Sequence, residues 1–368
     1  MQMEITELIK KLIEFKTVNG KNDEFAACIC FIKDYFKPQI ESGKIYVVEY
    51  EKNGLHSIVF SSQKNIKPDI ILNGHIDVVN AEEKDFTPII KSGKLFGRGA
   101  ADMKSQIATL MHIFKNIVES EEKKSVALML TSDEELSGGN GVGYLLNEIG
   151  YRCKVAIVPD GGHNFEMIVK EKGGFWIKVS ASGKSAHGSR TWLGENAVLK
   201  LMTFFYELEE IFPPLKKTKK LYQDGVSINL GVMNGGKSIN SVPDRAEMFL
   251  DIRYSEKMHK SEIIKTLKKL SKKHKLKFEV TDVVEMLETD PQDPYLKKFK
   301  NIARKTIYKP IVITKASGAS DARFFSAKGI PVIIMTPNCG NKHGKNEWVE
   351  IKSIEKFYDI LIRFINEI

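Results

Sequence analysis

The sequence predicts an α/β protein in which a discontinuous domain, built on a central mixed sheet flanked by helices, is interrupted by a two-layer α+β insert. Three observations lead to this prediction. The 368 residues exceed the roughly 250 to 300 at which a single core stops growing. Short β-rich apolar runs alternate with helical patterns in the first and last parts of the chain, as in α/β folds. A different order of elements separates these two parts.

The first part of the discontinuous domain is predicted over residues 1–172. Its helix after Asp102 repeats apolar side chains at three- and four-residue spacing from Ile107 to Val118, which predicts one buried stripe. Its strands are predicted from five short apolar runs: K-I-Y-V-V-E-Y, H-S-I-V-F, D-I-I-L-N, S-V-A-L-M-L-T and K-V-A-I-V-P.

The insert is predicted over residues 173–285, and the first domain resumes over residues 286–368. Within the insert the order is strand, helix, two strands, helix and strand, which is typical of a two-layer α+β domain. Two turn-rich stretches, G-G-H-N and D-P-Q-D-P, flank it as predicted hinges. A helix from Tyr295 to Tyr308, the strand P-V-I-I-M and an amphipathic helix after Ile351 follow.

Composition places the chain among ordinary globular proteins, with 42% hydrophobic and 28% charged residues. Its formal charge of +9 raises the question of nucleic-acid binding. The lysines gather mainly on one amphipathic segment, Lys260 to Lys277, with no aromatic residues between them to stack on bases. We therefore expect no nucleic-acid partner, whereas the positive surplus suits a small anionic substrate.

The location of the protein is predicted from its apolar residues and its cysteines. The N-terminal apolar residues stand at helical spacing among charges, unlike the unbroken run of a signal peptide. No later run approaches the ~20 apolar residues of a membrane span. The four cysteines form neither a C-x-x-C pair nor a zinc-finger spacing: Cys28, Cys30, Cys153 and Cys339. The expectation is a cytoplasmic protein with reduced thiols and no membrane partner.

Histidines and acids follow the predicted strands, which is where open α/β sheets bind their ligands. The stretch D-I-I-L-N-G-H-I-D-V-V places His75 and Asp77 after an apolar strand. Residues two apart in a strand share a face, so the Asp77 carboxylate can hold the His75 imidazole and fix its tautomer. Alone, this pattern is more often structural than metal-binding.

Two further stretches add carboxylates. Asp102 stands directly before the helix described above, where it could simply be an N-cap residue. Asp133, Glu134 and Glu135 close a strongly apolar strand, and three adjacent carboxylates repel one another unless cations compensate them. Neighbouring acids also suit two roles, since one can bind a metal while the other, facing the opposite way, serves as a base.

The last two stretches contribute an acid and a histidine. Asp160 ends the buried strand in K-V-A-I-V-P-D-G-G. His343 and Glu347 follow the last core strand, in N-C-G-N-K-H-G-K-N-E-W. Because these groups all fall near strand ends, we interpret them together as one candidate site.

A nicotinamide cofactor is the alternative raised by S-G-G-N-G-V-G, which follows a strand and precedes a helix. Asp160 even lies at a suitable distance along the chain for a ribose contact. The glycine fingerprint fails, however, because counting from Gly139 gives Gly141 and then Tyr144 where the third glycine should stand. The sequence therefore disfavours an oxidoreductase.

These motifs, in this order, resemble those of the co-catalytic zinc hydrolases that include acetylornithine deacetylase, succinyl-diaminopimelate desuccinylase, carboxypeptidase G and aminoacylase. The resemblance runs through nearly the whole chain. It implies two divalent metal ions, zinc in the first place, with cobalt or manganese also accepted by such ligands. The implied ligands are His75, Asp102 and Asp160 at one ion and Glu135, Asp102 and His343 at the other, with Asp102 bridging. Asp160 stands where many members have glutamate.

The resemblance also implies roles for residues that do not bind metal. Glu134 becomes the general acid/base, and Asp77 orients His75. In the insert, G-K-S-A-H-G-S-R, S-I-N-S-V-P and D-I-R-Y resemble the dimerisation or lid domain of the family. His187 matches a histidine that enters the partner's active site, and Asn240 matches a substrate-binding residue. A homodimer formed through the insert follows from this resemblance.

Arg253 and Gly318 complete the implied substrate site. Alternate residues from Met248 to Tyr254 share one face of a strand, which leaves Arg253 on the other face, able to bind a carboxylate bidentately. A surface salt bridge is the alternative for Arg253. In the stretch G-A-S-D, Ala319 follows Gly318 where the desuccinylases usually carry threonine, which leaves that specific activity open.

The predicted function is metal-dependent hydrolysis of an amide bond in an N-acyl amino acid, as in a deacetylase or desuccinylase. A dipeptidase or carboxypeptidase is the first alternative, because both kinds of substrate present an amide near a free carboxylate. An inactive metal- or peptide-binding relative is the second. The presence of Glu134 speaks against it, because a binder needs the ligands but not the base.

Overall fold

The chain forms two compact units in a computed structural model that describes residues 2–218 and 222–368, with side chains from residue 5 onward. One unit is discontinuous in sequence and the other is nearly continuous. The first unit contains Met1–Lys170, Leu287–Lys315 and Ser320–Ile368, and the second contains Glu171–Met286 and the short segment Ala316–Ala319.

Helices and strands alternate along most of the described chain. The helices, in chain order, are α1 (Gln2–Glu14), α2 (Asn22–Tyr35), α3 (Lys37–Glu41), α4 (Lys104–Glu119), α5 (Val142–Tyr144), α6 (Ala197–Ile211), α7 (Lys260–Lys273), α8 (Pro294–Ile307), α9 (Ala322–Ser326) and α10 (Ile351–Asn366). The strands are β1 (Tyr46–Lys52), β2 (Leu55–Ser61), β3 (Ile70–His75), β4 (Ile89–Lys91), β5 (Lys94–Phe96), β6 (Val126–Thr131), β7 (Val155–Ile157), β8 (Met167–Glu171), β9 (Gly173–Ser182), β10 (Ser227–Gly235), β11 (Arg245–Tyr254), β12 (Lys277–Val284), β13 (Leu287–Glu288), β14 (Ile313–Ala316), β15 (Val332–Met335), β16 (Cys339–Gly340) and β17 (Trp348–Glu350). None of the described helices combines the length and the apolar character needed to cross a membrane.

The largest sheet among the described residues lies in the first unit. It runs in the order β1-β2-β6-β3-β7-β15-β8-β13, with β14 paired to β8. Strands β6, β3, β7 and β15 are parallel neighbours. Strands β1, β2 and β8 pair in the antiparallel sense. The sheet is therefore mixed, which confirms the predicted fold class.

The parallel strands deliver candidate ligands to one edge of this sheet. Strand β3 ends at His75, and β6 ends at Thr131, shortly before Asp133. Strand β7 ends at Ile157, shortly before Asp160. Because parallel strands end at the same edge, the side chains that follow them converge there.

Helix α4 is buried on nearly every side, and its residues from Lys104 to Phe114 are all buried. It packs against β3 and β6 on one side, while α1 and α10 cover other sides. The prediction of a single buried stripe was wrong in this respect. The local pattern could not show that α10, at the far end of the chain, packs across a face expected to meet solvent.

A smaller sheet, in the order β16-β17-β5-β4, brings two loops of the site together. Strands β17 and β5 are antiparallel, with Trp348 opposite Phe96. Glu347 therefore precedes β17 at the point where the chain leaves β5 toward Asp102. The N–H of Gly97 donates to the Glu347 carbonyl oxygen at 3.0 Å.

The second unit has two layers. Its sheet is antiparallel, in the order β10-β11-β9-β12, and α6 and α7 pack against it. Alternate residues of β11 from Met248 to Tyr254 are buried, as predicted from their spacing, and Ala246 continues the pattern. The helices add Leu201, Phe204 and Leu267 to the same apolar core. This is the α+β arrangement predicted for the insert.

Candidate metal centre

His75 ends β3 and is buried, with 1% of its side chain exposed. Its Nδ1 lies 3.0 Å from the main-chain carbonyl oxygen of Asp77. Because a carbonyl oxygen only accepts hydrogen bonds, Nδ1 donates. Nε2 is then directed at the Asp102 carboxylate, 3.3 Å from Oδ1. Such an orientation leaves Nε2 as the nitrogen available to a metal ion.

The Asp77 side chain links His75 to a neighbouring loop. Its Oδ1 lies 3.5 Å from His75 Nδ1, farther than the main-chain oxygen of the same residue. Its Oδ2 accepts the N–H of Glu135 at 2.9 Å. From the sequence, the Asp77 carboxylate alone was expected to orient His75. The structure shows that the main-chain carbonyl oxygen of Asp77 is the nearer partner.

Five predicted ligands form two clusters that share Asp102. In each cluster the nitrogen and carboxylate oxygens lie within 4.8 Å of one another. The clusters are His75, Asp102 and Asp160 in the first, and Asp102, Glu135 and His343 in the second. His343 Nε2 lies 3.1 Å from Glu135 Oε1 and 3.4 Å from Asp102 Oδ2. Imidazole and carboxylate groups in this number are suited to zinc and to related divalent ions.

Glu134 and Glu135 lie in a 3-10 turn, Glu134–Leu136, shortly after β6. Both carboxylates lie close to the imidazole of His75, in a group whose ligand atoms are within 4.8 Å of one another. The expectation that the two acids face opposite ways was therefore wrong. It assumed that the strand continues, whereas the turn carries both side chains toward the same imidazole.

The interpretation of Asp102 as a helix cap was also wrong. The N-cap residue of α4 is Met103, and no side-chain hydrogen bond caps this helix. Asp102 is buried, and its two carboxylate oxygens face His75 and His343. The residue thus belongs to the site and not to the helix end.

Lys342 is a member of the site that the sequence analysis did not predict. Its Nζ lies 3.1 Å from Asp160 Oδ1 and 3.7 Å from Asp102 Oδ2. In an extended chain, a lysine beside a histidine ligand points away from the site. Here Asn341 and His343 both adopt a φ of 58°, in the left-handed region. The loop therefore turns both Lys342 and His343 toward the acids.

Burial and charge act on the pKa values of the site in opposite directions. Burial raises the pKa of Glu134 well above its usual range. Burial also acts to raise the pKa of Asp102, but Lys342 and His343 outweigh it and hold that pKa well below its usual range. Hydrogen bonds to Asp102 and Glu135 raise the pKa of His343 to about 10. The acids are crowded enough that their ionised forms need nearby cations.

Glu347 holds the loop that presents Asp102. Its Oε1 accepts the N–H groups of Ala101 and Asp102, at 2.8 and 2.9 Å. Its Oε2 accepts the N–H of Gly99 at 3.1 Å. Glu347 had no predicted role, and the structure shows that it orders the backbone around a candidate ligand.

Asp133 and Asp321 are two further buried acids. Asp133 Oδ2 accepts the N–H groups of Asn140 and Gly141 at 2.8 and 2.9 Å. A Cβ at Gly141 would lie 2.1 Å from Asp133 Oδ1, so glycine permits this close approach. Asp321 Oδ2 accepts the hydroxyl of Thr131 at 3.3 Å. The glycine-rich stretch therefore wraps an acid of its own chain, which accounts for it without a nucleotide.

His187 and Asn240 lie together in the second unit. His187 forms an isolated β-bridge with Ser241, and the N–H of Gly188 donates to the Asn240 carbonyl oxygen at 2.6 Å. His187 is exposed, and its Nδ1 accepts the N–H of Ser189 at 3.2 Å. Because a backbone N–H only donates, Nδ1 carries no proton and Nε2 is the donor of this ring.

Arg253 and Gly318 also belong to the second unit. Arg253 pairs with Asp251 on its own strand, with Nε 2.7 Å from Oδ1 and Nη2 3.2 Å from Oδ2. The surface salt bridge that the sequence left open for Arg253 is thus present. At Gly318 an added Cβ would meet none of the described atoms within 4 Å. The metal-ligand candidates, Asp77 and Glu134 come together in the first unit, and the other candidates lie in the second.

Clusters of imidazoles and carboxylates that share one acid, at the carboxyl edge of an α/β sheet, are typical of metal-dependent hydrolases. The family model of Peptidase family M20/M25/M40 matches residues 71–367. The chain belongs to this family, whose members act on C–N bonds. This finding confirms the predicted resemblance and the predicted class of enzyme.

Named relatives cover most of the chain at low identity. A probable succinyl-diaminopimelate desuccinylase of Staphylococcus aureus is 26% identical, over 100% of this chain and 98% of that protein. Aminoacylase-1 of Dictyostelium discoideum is 26% identical, over 89% of this chain and 91% of that protein. The structure of an M20 family metallo-carboxypeptidase from Sulfolobus solfataricus has a TM-score of 0.79 at 17% identity, covering 98% of each chain. The last similarity supports the fold.

Proposed function

We propose that the protein hydrolyses the amide bond of an N-acyl amino acid, in the manner of a deacetylase or desuccinylase, with two divalent metal ions. The geometry of Asp102 carries this proposal. Its Oδ1 faces His75 Nε2 at 3.3 Å, and its Oδ2 faces His343 Nε2 at 3.4 Å. A carboxylate whose oxygens face different imidazoles is suited to bridging two ions.

In this proposal, His75, Asp102 and Asp160 would hold one ion, and Asp102, Glu135 and His343 would hold the other. Zinc is the proposed ion, because imidazole nitrogens and carboxylate oxygens are its usual ligands at catalytic sites. Cobalt and manganese fit the same ligand set.

The proposed reaction uses Glu134 as the group that moves protons. When bound, the two ions would lower the pKa of a water molecule and polarise the scissile carbonyl. Glu134 removes a proton from the water whose oxygen bonds to the carbonyl carbon. The carbon–nitrogen bond then breaks, and Glu134 passes the proton to the departing nitrogen. The products are a carboxylic acid and a free amine.

The second unit supplies the proposed substrate contacts. The exposed Nε2–H of His187 is a donor suited to the oxygen that becomes negative during the reaction. Asn240 is the proposed neighbour of His187 at the substrate. Arg253 is proposed to bind the free carboxylate, which requires it to exchange its present partner, Asp251. A positively charged chain suits such an anionic substrate.

A homodimer formed through the second unit is part of the proposal. Leu199, Thr203 and Tyr206 lie along one outward face of α6, and the two apolar members are 61% and 59% exposed. Strand β10 ends the sheet, with β11 as its partner among the described strands. An open sheet edge beside exposed apolar side chains is a surface that a second copy can cover.

A dipeptidase or carboxypeptidase is the alternative function. The similarity to a metallo-carboxypeptidase supports it, whereas the relatives named desuccinylase and aminoacylase support deacylation. An inactive binding protein is a weaker alternative, because Glu134 stands beside the ligand clusters as a base would. A cytoplasmic location stays a prediction.

The test is hydrolysis after controlled removal of metal. Protein dialysed against a chelator should lose activity, and zinc or cobalt should restore it. The restored protein should then be assayed on N-acetyl amino acids, N-succinyl amino acids and dipeptides of the same residues. Full activity in protein shown to be metal-free by elemental analysis would contradict the proposal. Cleavage of the dipeptides alone would favour the alternative.

A further inference from the structure

We propose that Lys342 is a built-in counter-ion that competes with the divalent cation at His75, Asp102 and Asp160, so that the two metal sites differ in affinity. This inference rests on the proposed metal-binding function and deepens it. It predicts that filling the first site moves the Lys342 ammonium away from the acids.

The contacts of Lys342 place a positive charge directly on the acids of the site. Its Nζ lies 3.1 Å from Asp160 Oδ1 and 3.7 Å from Asp102 Oδ2. The other oxygens of these two acids face His75 Nε2, at 3.9 Å for Asp160 Oδ2 and 3.3 Å for Asp102 Oδ1. A cation held by these three ligands would share both carboxylates with the ammonium, and like charges at such separations repel strongly.

The competition is unequal between the two clusters. The shorter contact of Lys342 is with Asp160, which belongs to the first cluster only. Glu135 and His343 of the second cluster pair with each other at 3.1 Å. We therefore assign the weaker affinity to the first cluster.

The Lys342 ammonium is able to move away from Asp102 and Asp160. Its side chain is 26% exposed, against 10% for that of Asp160. Its charge stands on a flexible four-carbon stem with rotatable donors, so the head can move toward solvent without moving the backbone. The effect of the Lys342 charge on stability therefore differs between the metal-free and the metal-loaded protein. The ammonium stabilises the metal-free protein, where it compensates two buried acids, and opposes the metal-loaded protein.

The experiment compares Lys342→Met, which keeps the length of the side chain and removes its charge, with the wild type. Lys345→Met is the matched control, because Lys345 lies on the same loop, is 86% exposed and pairs only with Glu82 among the described residues. Lys342→Arg keeps a positive charge at the site. Binding of Zn²⁺ is measured by competition with a chelator of known affinity, and thermal unfolding is recorded with excess chelator and with saturating Zn²⁺.

The wild type should bind two ions with distinct affinities. Lys342→Met should tighten the weaker site by at least about tenfold, which corresponds to ~1.4 kcal/mol. The same variant should unfold at a lower temperature in chelator but not in saturating Zn²⁺. Lys345→Met should change neither quantity, and Lys342→Arg should keep the weaker site weak.

Two results would overturn the inference while leaving the proposed function in place. In the first, the wild type and Lys342→Met bind two ions with the same pair of affinities. The other is a Lys342→Met variant that is equally destabilised with and without Zn²⁺, because a merely structural lysine behaves in this way. Wild-type protein that binds no Zn²⁺ would instead overturn the proposed function.

Discussion

The Arg98 guanidinium lies 2.6 Å from the Glu347 carboxylate, and both side chains are at most 5% exposed. This ion pair joins the two loops that present Asp102 and His343. Glu347 accepts three backbone N–H groups of the Asp102 loop, and Arg98 Nη2 donates to the carbonyl oxygen of Gly344 at 3.3 Å. The spacing of two predicted ligands therefore depends on a pair that itself binds no metal.

Glu347→Ala should destabilise the protein by about 3 to 5 kcal/mol, because it leaves the buried Arg98 charge without its partner. Glu347→Gln should cost less, since one oxygen remains for the N–H groups of Ala101 and Asp102. Urea unfolding measures the stability, and elemental analysis should show metal loss in the alanine variant. Glu51→Gln, at an exposed position of β1, is the control. A Glu347→Ala variant as stable as this control would show that the Arg98–Glu347 pair does not stabilise the protein.

Glu134→Gln should lower turnover by at least about 10²-fold, a loss typical of removed acid/base catalysis, while two metal ions stay bound. His343→Ala should instead lose metal from one site. Steady-state kinetics and elemental analysis on the same samples separate the two effects. If the glutamine variant lost its metal and kept its rate, the roles of Glu134 and Glu135 would have to be exchanged.

Asp321→Asn should make stability less dependent on pH. Burial raises the pKa of Asp321 to about 8, and the Asp133 carboxylate adds to this increase. The folded protein therefore holds a proton that the unfolded chain, with an ordinary carboxyl pKa, has released. Stability from this group is complete below about pH 4 and is lost as the pH rises toward 8, at up to about 1.4 kcal/mol per pH unit.

The measurement for Asp321→Asn is the free energy of unfolding between pH 4 and pH 8, in excess chelator so that metal release makes no contribution. The variant should show a smaller decline than the wild type. Asp23→Asn, at an exposed position of α2, should decline like the wild type. Parallel curves for all three proteins would show that Asp321 does not titrate in this range.

His187→Ala should lower turnover by roughly 10² to 10³ with little change in metal content, if its Nε2–H stabilises the developing oxyanion. Mixing His187→Ala chains with Glu134→Gln chains should restore activity. One site in each mixed dimer then has intact Glu134 from its own chain and intact His187 from the partner. Mixed dimers, isolated by two different tags, that stay as inactive as both parents would show that His187 does not act across the dimer.

Leu199→Glu should dissociate the proposed homodimer, because it places a charge in the exposed apolar face of α6. Sedimentation velocity should show a monomer, and turnover should fall together with the dimer. Lys268→Glu, on the exposed face of α7, changes charge in the same unit and should leave the oligomeric state unchanged. A Leu199→Glu protein that remained dimeric would place the interface elsewhere.

The sheet and the gathering of histidines and acids at the ends of its strands could be predicted because their signals are local, whereas the assignment of these residues to two metal ions followed from the resemblance to a family. The buried strand β3 begins with the apolar residues Ile70, Ile71 and Leu72, and His75 stands at its end. The same holds for β6 and the acids that follow it. Because the carboxyl ends of parallel strands lie at one edge of a sheet, a short pattern in the sequence predicts where in the fold these side chains lie.

The remaining features depend on backbone turns or on distant contacts. The direction of Lys342 follows from the left-handed conformation of its neighbours, Asn341 and His343. No local pattern of apolar and polar residues reports such a conformation. The Arg98–Glu347 pair joins positions 249 residues apart in the sequence. From the sequence alone, nothing indicates that these two charged residues are in contact.

Because the first unit is discontinuous in sequence, the ribosome synthesises its candidate ligands in two separate stages. Asp160 and His343 are separated by 183 positions, and most of this stretch encodes the second unit. At a synthesis rate of about 5 to 20 residues per second, His343 follows Asp160 from the ribosome by roughly ten to forty seconds. During that interval the growing chain displays four of the five candidate ligands, and the second unit has time to fold first. Metal captured early would meet an incomplete set of ligands, and closure of the site must await the last part of the chain.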